Sequence, residues 1–360
     1  MCFGLSQLPF YGSRDIHFNS PSPISSSSSS SSSTTHPSSS LLSHLLSHLS
    51  LGEGGHLSNE TIKNDVNDLN LTFNNNDKNN DNRNNELNIP ETHCKYYSPN
   101  DLKLINSEHN FNIFHNNING LENKHDFLHQ FLASSINFDV IAITETSKKH
   151  NRDFLNNVQL DSYNLFSIGS YTSRGGSALY VNNKYEVRER IDLANESALF
   201  EAVWIEIDKK NKNIVCGSIY RHPKDNSQNF KAFLDYLEIC LSKLVNESKE
   251  IYICGDFNID WLKIDVNSNY KHFYDLVFNY GFSPLIKLPT RVQGDSATIT
   301  DNIFTNYYYQ DTVCGNITSD ISDHFAQLAS IPRNSISQKN RTFTSRDFSN
   351  FSAEHFRRDI

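Results

Sequence analysis

The sequence predicts an α/β fold: two mostly antiparallel sheets packed face to face, with helices outside. Three observations carry this expectation. Short β-branched and aromatic runs recur between residues 111 and 331, each ending in polar residues or glycine. Two or three stretches between them repeat apolar residues at helical spacing instead. Hydrophobic residues, 37 % of the whole, are unevenly spread and concentrate in this one block, so the chain reads as one core rather than two domains.

The elements follow in order. Asn112 to Asn119, extended through Phe111, reads as a strand that runs out into polar residues and Gly120. Phe127, Leu128, Phe131, Leu132 and Ile136 then recur at helical spacing. Phe138 to Thr146 is a continuous apolar run, a buried strand ending at Glu145. Tyr163–Ile168, Ala178–Val181 and Leu199–Ile207 read as strands, the last alternating between two faces. Lys212 to Arg221 is another, ending in Tyr220-Arg221-His222-Pro223. A helix carries Phe230, Phe233, Leu234, Leu237, Leu241 and Leu244 on one side. Ile251 onward is a strand, and a helix surrounds Phe273 to Phe278. Later strands cover Pro284–Leu288, Thr298–Phe304, Thr312–Ile317 and Phe325–Ile331.

What flanks this block cannot build a core. Residues 25–40 are almost all serine, 41–51 repeat every four residues with His44 and His48, and 52–93 are rich in Asn and Asp. Aromatic residues return at Cys94-Lys95-Tyr96-Tyr97. The expected layout is a low-complexity, disordered head over 1–104, a folded domain over 105–332 and a polar linker over 333–360.

Composition narrows the function classes. A net charge of −9 argues against a strong non-specific grip on nucleic acid, although a metal-dependent nuclease needs clustered carboxylates in any case. The six cysteines form no CxxC pair, which points to buried free thiols in a reducing compartment and away from zinc. No apolar run reaches membrane length, and no secretory pattern opens the chain. An intracellular protein is expected.

Ile251-Tyr252-Ile253-Cys254-Gly255-Asp256-Phe257-Asn258 is the stretch the chemistry hangs on. If the backbone stays extended, Asp256 and Asn258 point the same way at the mouth of a buried strand. There they could hold a water or a metal-bound oxygen. A plainer reading is an Asx-turn closing the strand, and this stretch alone leaves both open. Other strand ends are also polar: Asn117 and Asn119, Glu145, Tyr220 and Arg221, Asp301, and Asp320-Ile321-Ser322-Asp323-His324. Strand ends on one side of a sandwich converge, and the set suits phosphodiester hydrolysis. That reaction needs a cation on a non-bridging oxygen, a positioned water and stabilised leaving charge. Glu145 is the candidate metal ligand, Asp256 the residue that positions or deprotonates water, and His324 a donor to phosphoryl oxygens. Tyr220, Arg221 and the asparagines supply further donors.

The blocks N-I-N-G-L (117–121), I-T-E-T (143–146), R-G-G (174–176), Y-R-x-P (220–223), G-D-F-N (255–258), T-x-x-D-N-I-F-T-N (298–306) and S-D-x-S-D-H-F (319–325) appear in this order. Together they resemble the endonuclease/exonuclease/phosphatase superfamily. More narrowly, they resemble the apurinic-type endonuclease domain of non-LTR retrotransposons. The resemblance implies a four-layered α/β sandwich and nicking of DNA, dependent on Mg²⁺ (or Mn²⁺), that leaves a 3′-hydroxyl. It implies Glu145 as metal ligand, Asp323 as metal-proximal acid, and Asn117 at the edge of metal and phosphate. It also implies Tyr220 on the phosphate, Asp256 with Asn258 activating water, Asp301 orienting His324, and Thr298 touching the DNA backbone. Abasic-site repair enzymes carry an acid where Asn119 stands, so nicking is implied rather than repair. Arg174 with Gly175-Gly176 is a candidate for placing backbone amides near DNA, with a plain hairpin turn as the alternative. Loops 146–162, 170–176 and 290–297 are candidates for target choice, with Lys148, Lys149 and Arg152 tracking phosphates. DNA is the implied partner and the nucleus the implied compartment. A reverse transcriptase is implied in a full element but absent from this chain, and an inactive truncated copy is the alternative. A phosphatase-branch enzyme is disfavoured by the T-D-N-I-F stretch.

Overall fold

The computed structural model describes residues 94–333 apart from 106–108, 148–149, 171, 173, 210–211, 224–225, 308 and 310. The expectations for the low-complexity head up to residue 93, for the tail beyond Arg333 and for Lys148 and Lys149 lie outside the described residues.

Two seven-stranded sheets form the centre. The first contains β1 (Cys94–Tyr97), β2 (Asn110–Asn117), β3 (Val140–Thr144), β4 (Tyr163–Ile168), β5 (Ser177–Asn182), β15 (Val313–Ile317) and β16 (Ala326–Pro332). Their spatial order is β1-β15-β16-β2-β3-β5-β4. The second contains β6 (Val187–Glu189), β7 (Asn195–Glu196), β8 (Phe200–Ile207), β9 (Ile214–Arg221), β10 (Glu250–Asp256), β11 (Ser283–Pro284) and β14 (Asp301–Thr305). Here the order is β11-β14-β10-β9-β8-β6, with β7 paired to β8. Arg291–Gln293 (β12) and Ser296–Thr298 (β13) form a separate two-stranded ribbon.

Apolar side chains of both sheets meet between them, among them Phe111, Val140, Leu179, Ile205, Tyr252 and Ile303. Helix α2 (Leu121–Ser134) packs Leu121, Leu128 and Phe131 on the outer face of the first sheet. The outer face of the second is covered by α4 (Ser227–Val245) and α5 (Ser268–Asn279) through Phe230, Phe233, Leu237, Phe273 and Val277. The result is the four-layered α/β sandwich expected.

Double coverage explains one departure. Leu199–Ile207 reads as alternating, yet all eight residues of β8 are buried. A strand covered on both faces has no solvent side. Other departures are local. The sheet begins at Cys94, not near 105, because β1 pairs in parallel with β15 and Tyr96 and Tyr97 are buried. The expected 298–304 strand breaks into β13 and β14 around Ile299 and Thr300. Phe127, expected on the core face of α2, is 64 % exposed. Two short helices, α1 (Pro99–Leu102) and α3 (Arg152–Asn157), are too brief to show periodicity. Cys216, Cys240, Cys254 and Cys314 are buried. Among the described residues no helix is long and apolar enough to cross a membrane.

Candidate active site

Parallel pairing brings the polar strand ends together. β2 and β3 run in parallel with Asn117 beside Thr144, so Glu145 emerges next to Asn117. β9 and β10 run in parallel with Tyr220 beside Asp256. β14 runs antiparallel to β10 with Asp301 opposite Asp256. Sheet packing then faces the two rows across one cleft of about 460 Å³. Asn117, Asn119, Glu145, Arg174, Tyr220, Asp256, Asn258, Asp323 and His324 all line it.

Asn117 joins the rows. Its Nδ2 donates to Glu145 Oε1 at 3.1 Å and to Asp256 Oδ2 at 2.8 Å. Tyr220 donates its hydroxyl to the same Glu145 oxygen at 2.8 Å. The Asx-turn reading of Asp256 and Asn258 holds, and it leaves one carboxylate oxygen facing Asn117. Asp256 Oδ1 accepts the Asn258 amide at 2.9 Å, an Asx-turn, while Oδ2 faces Asn117. The two side chains share the cleft for a different reason than extended backbone: the strand ends at Asp256 and Asn258 turns left-handed at φ 49°. Asn119 and Glu145 adopt the same conformation, each at φ 50°. This region is sterically costly for residues with a Cβ, so three left-handed non-glycine residues around one cleft mark an over-determined site. Gly255 is required because a Cβ there would collide with the Ile219 carbonyl of β9. Phe257 turns inward and packs on Phe273 and Phe304.

Opposite Asp256 lies a carboxylate–imidazole pair. Asp301 Oδ2 accepts from His324 Nδ1 at 2.8 Å, from Thr290 at 2.7 Å and from Thr300 at 3.1 Å. Asp301 Oδ1 is buried and unpartnered among the described residues. Ser322 fixes the approach to His324 by donating to the Asn117 carbonyl at 2.6 Å and accepting the His324 amide at 3.2 Å. Burial opposes a charge on His324, but Asp301 outweighs it and pushes the imidazole up to about 9. Burial likewise opposes ionisation of Asp301, and His324 outweighs it and holds that carboxyl low. Asp256 is pushed up to about 7 by burial, with Asp301 adding to the rise. Burial, Glu145 and Asp256 keep the Tyr220 phenol protonated.

Two expected substrate contacts are not where the sequence reading put them. Arg221 is buried, donates to the Phe257 and Asn258 carbonyls at 2.6 and 2.8 Å, and lies over the Phe230 and Phe233 rings. It holds the turn that carries Asn258 and does not line the cleft. Thr298 sits in the ribbon, where its carbonyl accepts the Thr290 amide, and it too is absent from the cleft. Asp323 reaches the rim, but its Oδ2 is engaged by Arg291 at 2.6 and 3.0 Å. Arg152 is exposed and outside the cleft. Arg291, His222, Thr172 and Thr290 belong to the site region and were missed. A lone Arg after a Thr in a loop carries no signal of its own, whereas His222 sits inside the Y-R-x-P block, where it went unread.

Fold and cleft together define a hydrolase of phosphate esters. The profile of the Endonuclease/Exonuclease/phosphatase family matches residues 110–324, more than half of the chain. The chain belongs to that family. No curated protein sequence matches it. Among solved structures it is similar to the AP endonuclease LMAP from Leishmania major at 12 % identity and TM-score 0.54, over 64 % of this chain and 90 % of that one. It is also similar to the endonuclease domain of TRAS1, a telomere-specific non-LTR retrotransposon, at 13 % identity and TM-score 0.47, over 62 % and 98 %. A D. rerio TDP2 complexed with a single-strand DNA product gives 14 % and 0.45, over 62 % and 99 %. At its identity the LMAP likeness shows the fold.

Proposed function

We propose that the chain is a Mg²⁺- or Mn²⁺-dependent endonuclease that nicks DNA and leaves a 3′-hydroxyl. In this reading it is of the kind carried by non-LTR retrotransposons and acts on chromosomal DNA in the nucleus. One observation carries the reading. Asn117 grips Glu145 and Asp256 together, and among the described residues neither carboxylate has a salt-bridge partner. Uncompensated carboxylates at one cleft cost stability unless a cation completes them.

The donor set fits a hard dication. Carboxylate and carboxamide oxygens face the cleft, and Asp301 keeps a bare buried oxygen. Ligand atoms of Asp256, Asp301 and His324 lie within 4.8 Å of one another. His324 and Asp301 are already bonded to each other, so that trio reads as the acid–base side. Glu145 and Asn117 would hold the ion, with Asp323 as the other rim carboxylate. When bound, the ion supplies Lewis-acid neutralisation of a phosphate oxygen.

The chain's own groups supply the rest. Asp256 Oδ2 takes a proton from the attacking water, with Asn117 and Asn258 orienting the carboxylate. His324 Nε2 donates to a phosphoryl oxygen, its ring fixed through Nδ1 by Asp301. Water oxygen bonds to phosphorus, the bond to the 3′ oxygen breaks, and that oxygen takes up a proton.

The test is nicking of supercoiled plasmid by the full chain in Mg²⁺, with His324→Ala alongside. Open circles from wild type and a loss of ~10²–10⁴-fold in the variant are expected. No nicking by a folded wild type in Mg²⁺ or Mn²⁺ would sink the reading. The net charge of −9 favours one second reading, a small phosphate ester as substrate. Turnover of such an ester without plasmid nicking would select it.

A further inference from the structure

The cleft holds a second carboxylate–imidazole pair that the chemistry above does not use. His222 follows Tyr220 by two residues, and their rings meet edge to face at 5.0 Å. Its Nε2 bonds Glu201 Oε1 at 3.0 Å. Glu201 stands on β8 directly across from Tyr220 and is wholly buried. The same oxygen accepts the Ser170 hydroxyl at 2.7 Å. Gly175, at φ 117°, brings its backbone close against the pair: a Cβ there would lie 2.6 Å from Ser170 Oγ and 2.8 Å from His222 Cε1. Arg174 precedes Gly175, and both Arg174 and His222 line the cleft.

A plain structural fastener would account for a Glu–His bond, but two features go further. Glu201 Oε2 is buried without a partner among the described residues, whereas the buried Glu206 of the same strand has both oxygens saturated by cations and an amide. Fasteners are normally satisfied, because a bare buried oxygen costs stability. With Nε2 committed to Glu201, Nδ1 is left as the free edge of a ring that borders the cleft. With Nε2–H given to Glu201, Nδ1 donates to a phosphate oxygen in the imidazolium form, in which both ring nitrogens carry protons, and a guanidinium on the same cleft is a second phosphate donor.

We propose that His222 and Arg174 form a second phosphate subsite, which receives the phosphodiester next to the scissile one on the nicked strand. Glu201 is its positioning residue. The proposal rests on the nuclease reading for its ligand.

The experiment pairs binding with turnover in the full-length protein. Binding of a short fluorescent duplex is measured in Ca²⁺. Cleavage of that duplex in Mg²⁺ is compared with cleavage of thymidine 5′-(p-nitrophenyl phosphate), which has a single diester. His222→Ala should weaken duplex binding about tenfold, the worth of one charge-assisted hydrogen bond. Its loss in kcat/KM should be about tenfold larger on duplex than on the single diester, and should lie in KM rather than kcat. Glu201→Gln should reproduce part of that KM effect. Arg174 is exposed, so Arg174→Ala keeps the fold and should lower the slope of log Kobs against log salt by ~0.9. Equal losses on both substrates, or duplex binding that neither His222→Ala nor Arg174→Ala changes, would overturn the subsite. A wild type that binds duplex through His222 yet cuts nothing would overturn the nuclease reading and leave the subsite standing. A folded wild type that binds no duplex overturns the subsite as well.

Discussion

The two ends of the second sheet treat buried carboxylates in opposite ways. Glu206 lies near the end of β8, beside the start of β9. Its oxygens meet Arg188 at 2.6 Å, Lys249 at 2.7 Å and Arg190 at 3.1 Å, with Asn213 at 2.8 Å. Burial opposes its ionisation, but Arg188 and Lys249 outweigh it and bring the carboxyl down to about 2. Asp256 stands at the far end of β10, beside the last residues of β9. It is bonded by the Asn258 amide and the Asn117 carboxamide, with Asp301 and His324 within 4.8 Å, and it is pushed up to about 7. Burial is common to both. What differs is whether arginine or lysine side chains bond the carboxylate directly. A carboxylate compensated by arginine and lysine is structural, whereas a buried one at a cleft without such partners is a candidate for proton transfer or cation binding.

Substitution at the uncompensated end gives the largest expected effect. Asp256→Asn should lower plasmid nicking by ~10²–10⁴-fold, the range for losing a general base. The same variant should raise the Tm of metal-free protein at pH 8. A raised native pKa contributes stability that is present below about pH 4 and lost as pH rises through about 7, so removing the charge helps most above 7. A Tm at pH 8 that Asp256→Asn leaves unchanged would break the comparison.

Activity should follow a bell-shaped pH profile. The acid limb rises as Asp256 loses its proton near 7, and the alkaline limb falls as His324 loses its own near 9. The optimum is therefore expected near pH 8. His324→Ala should abolish the alkaline limb in whatever activity remains.

Glu206→Gln addresses the compensated end. It leaves three cations facing a neutral group, and should cost ~2–4 kcal/mol by denaturant titration, with nicking per folded molecule unchanged. The depressed native pKa adds a sign. Stability from Glu206 is present above about pH 4.5 and is lost as pH falls toward 2, so the variant should flatten the acid limb of the stability curve. The smallest effect is expected at Thr298, outside the cleft. Thr298→Ala should stay within ~0.5 kcal/mol of wild-type stability and within about twofold in nicking. A large kinetic loss would return Thr298 to the site.

Legibility in the sequence followed run length and local chemistry. Tyr163–Ile168 coincides with its strand, where Tyr163, Leu165, Phe166 and Ile168 supply the β-forming character and the nearby β5 supplies the partner. β1 went unread because four residues become a strand only when β15 offers its edge. Asp256, Asn258, Glu145 and His324 stood in motif blocks, and the structure gathers them. Arg221 and Arg291 show the limit. Both are arginines near strand ends; Arg221 was expected to meet substrate and Arg291 was not. Arg221 spends its donors on two carbonyls while Arg291 reaches the rim. No local pattern separates them.

The sequence by itself determined most of the longer strands, which helices would carry an apolar face, and which polar groups would sit at strand ends; Pro284–Leu288 is the exception among the strands, reduced to Ser283–Pro284. Those properties depend on neighbours within a few residues. The tertiary structure decided the pairing of β2 with β3 and β9 with β10, and therefore which strand ends meet. It also decided which carboxylates find a cation. Both depend on groups tens to hundreds of residues apart, whose proximity exists only once the two sheets have closed on each other.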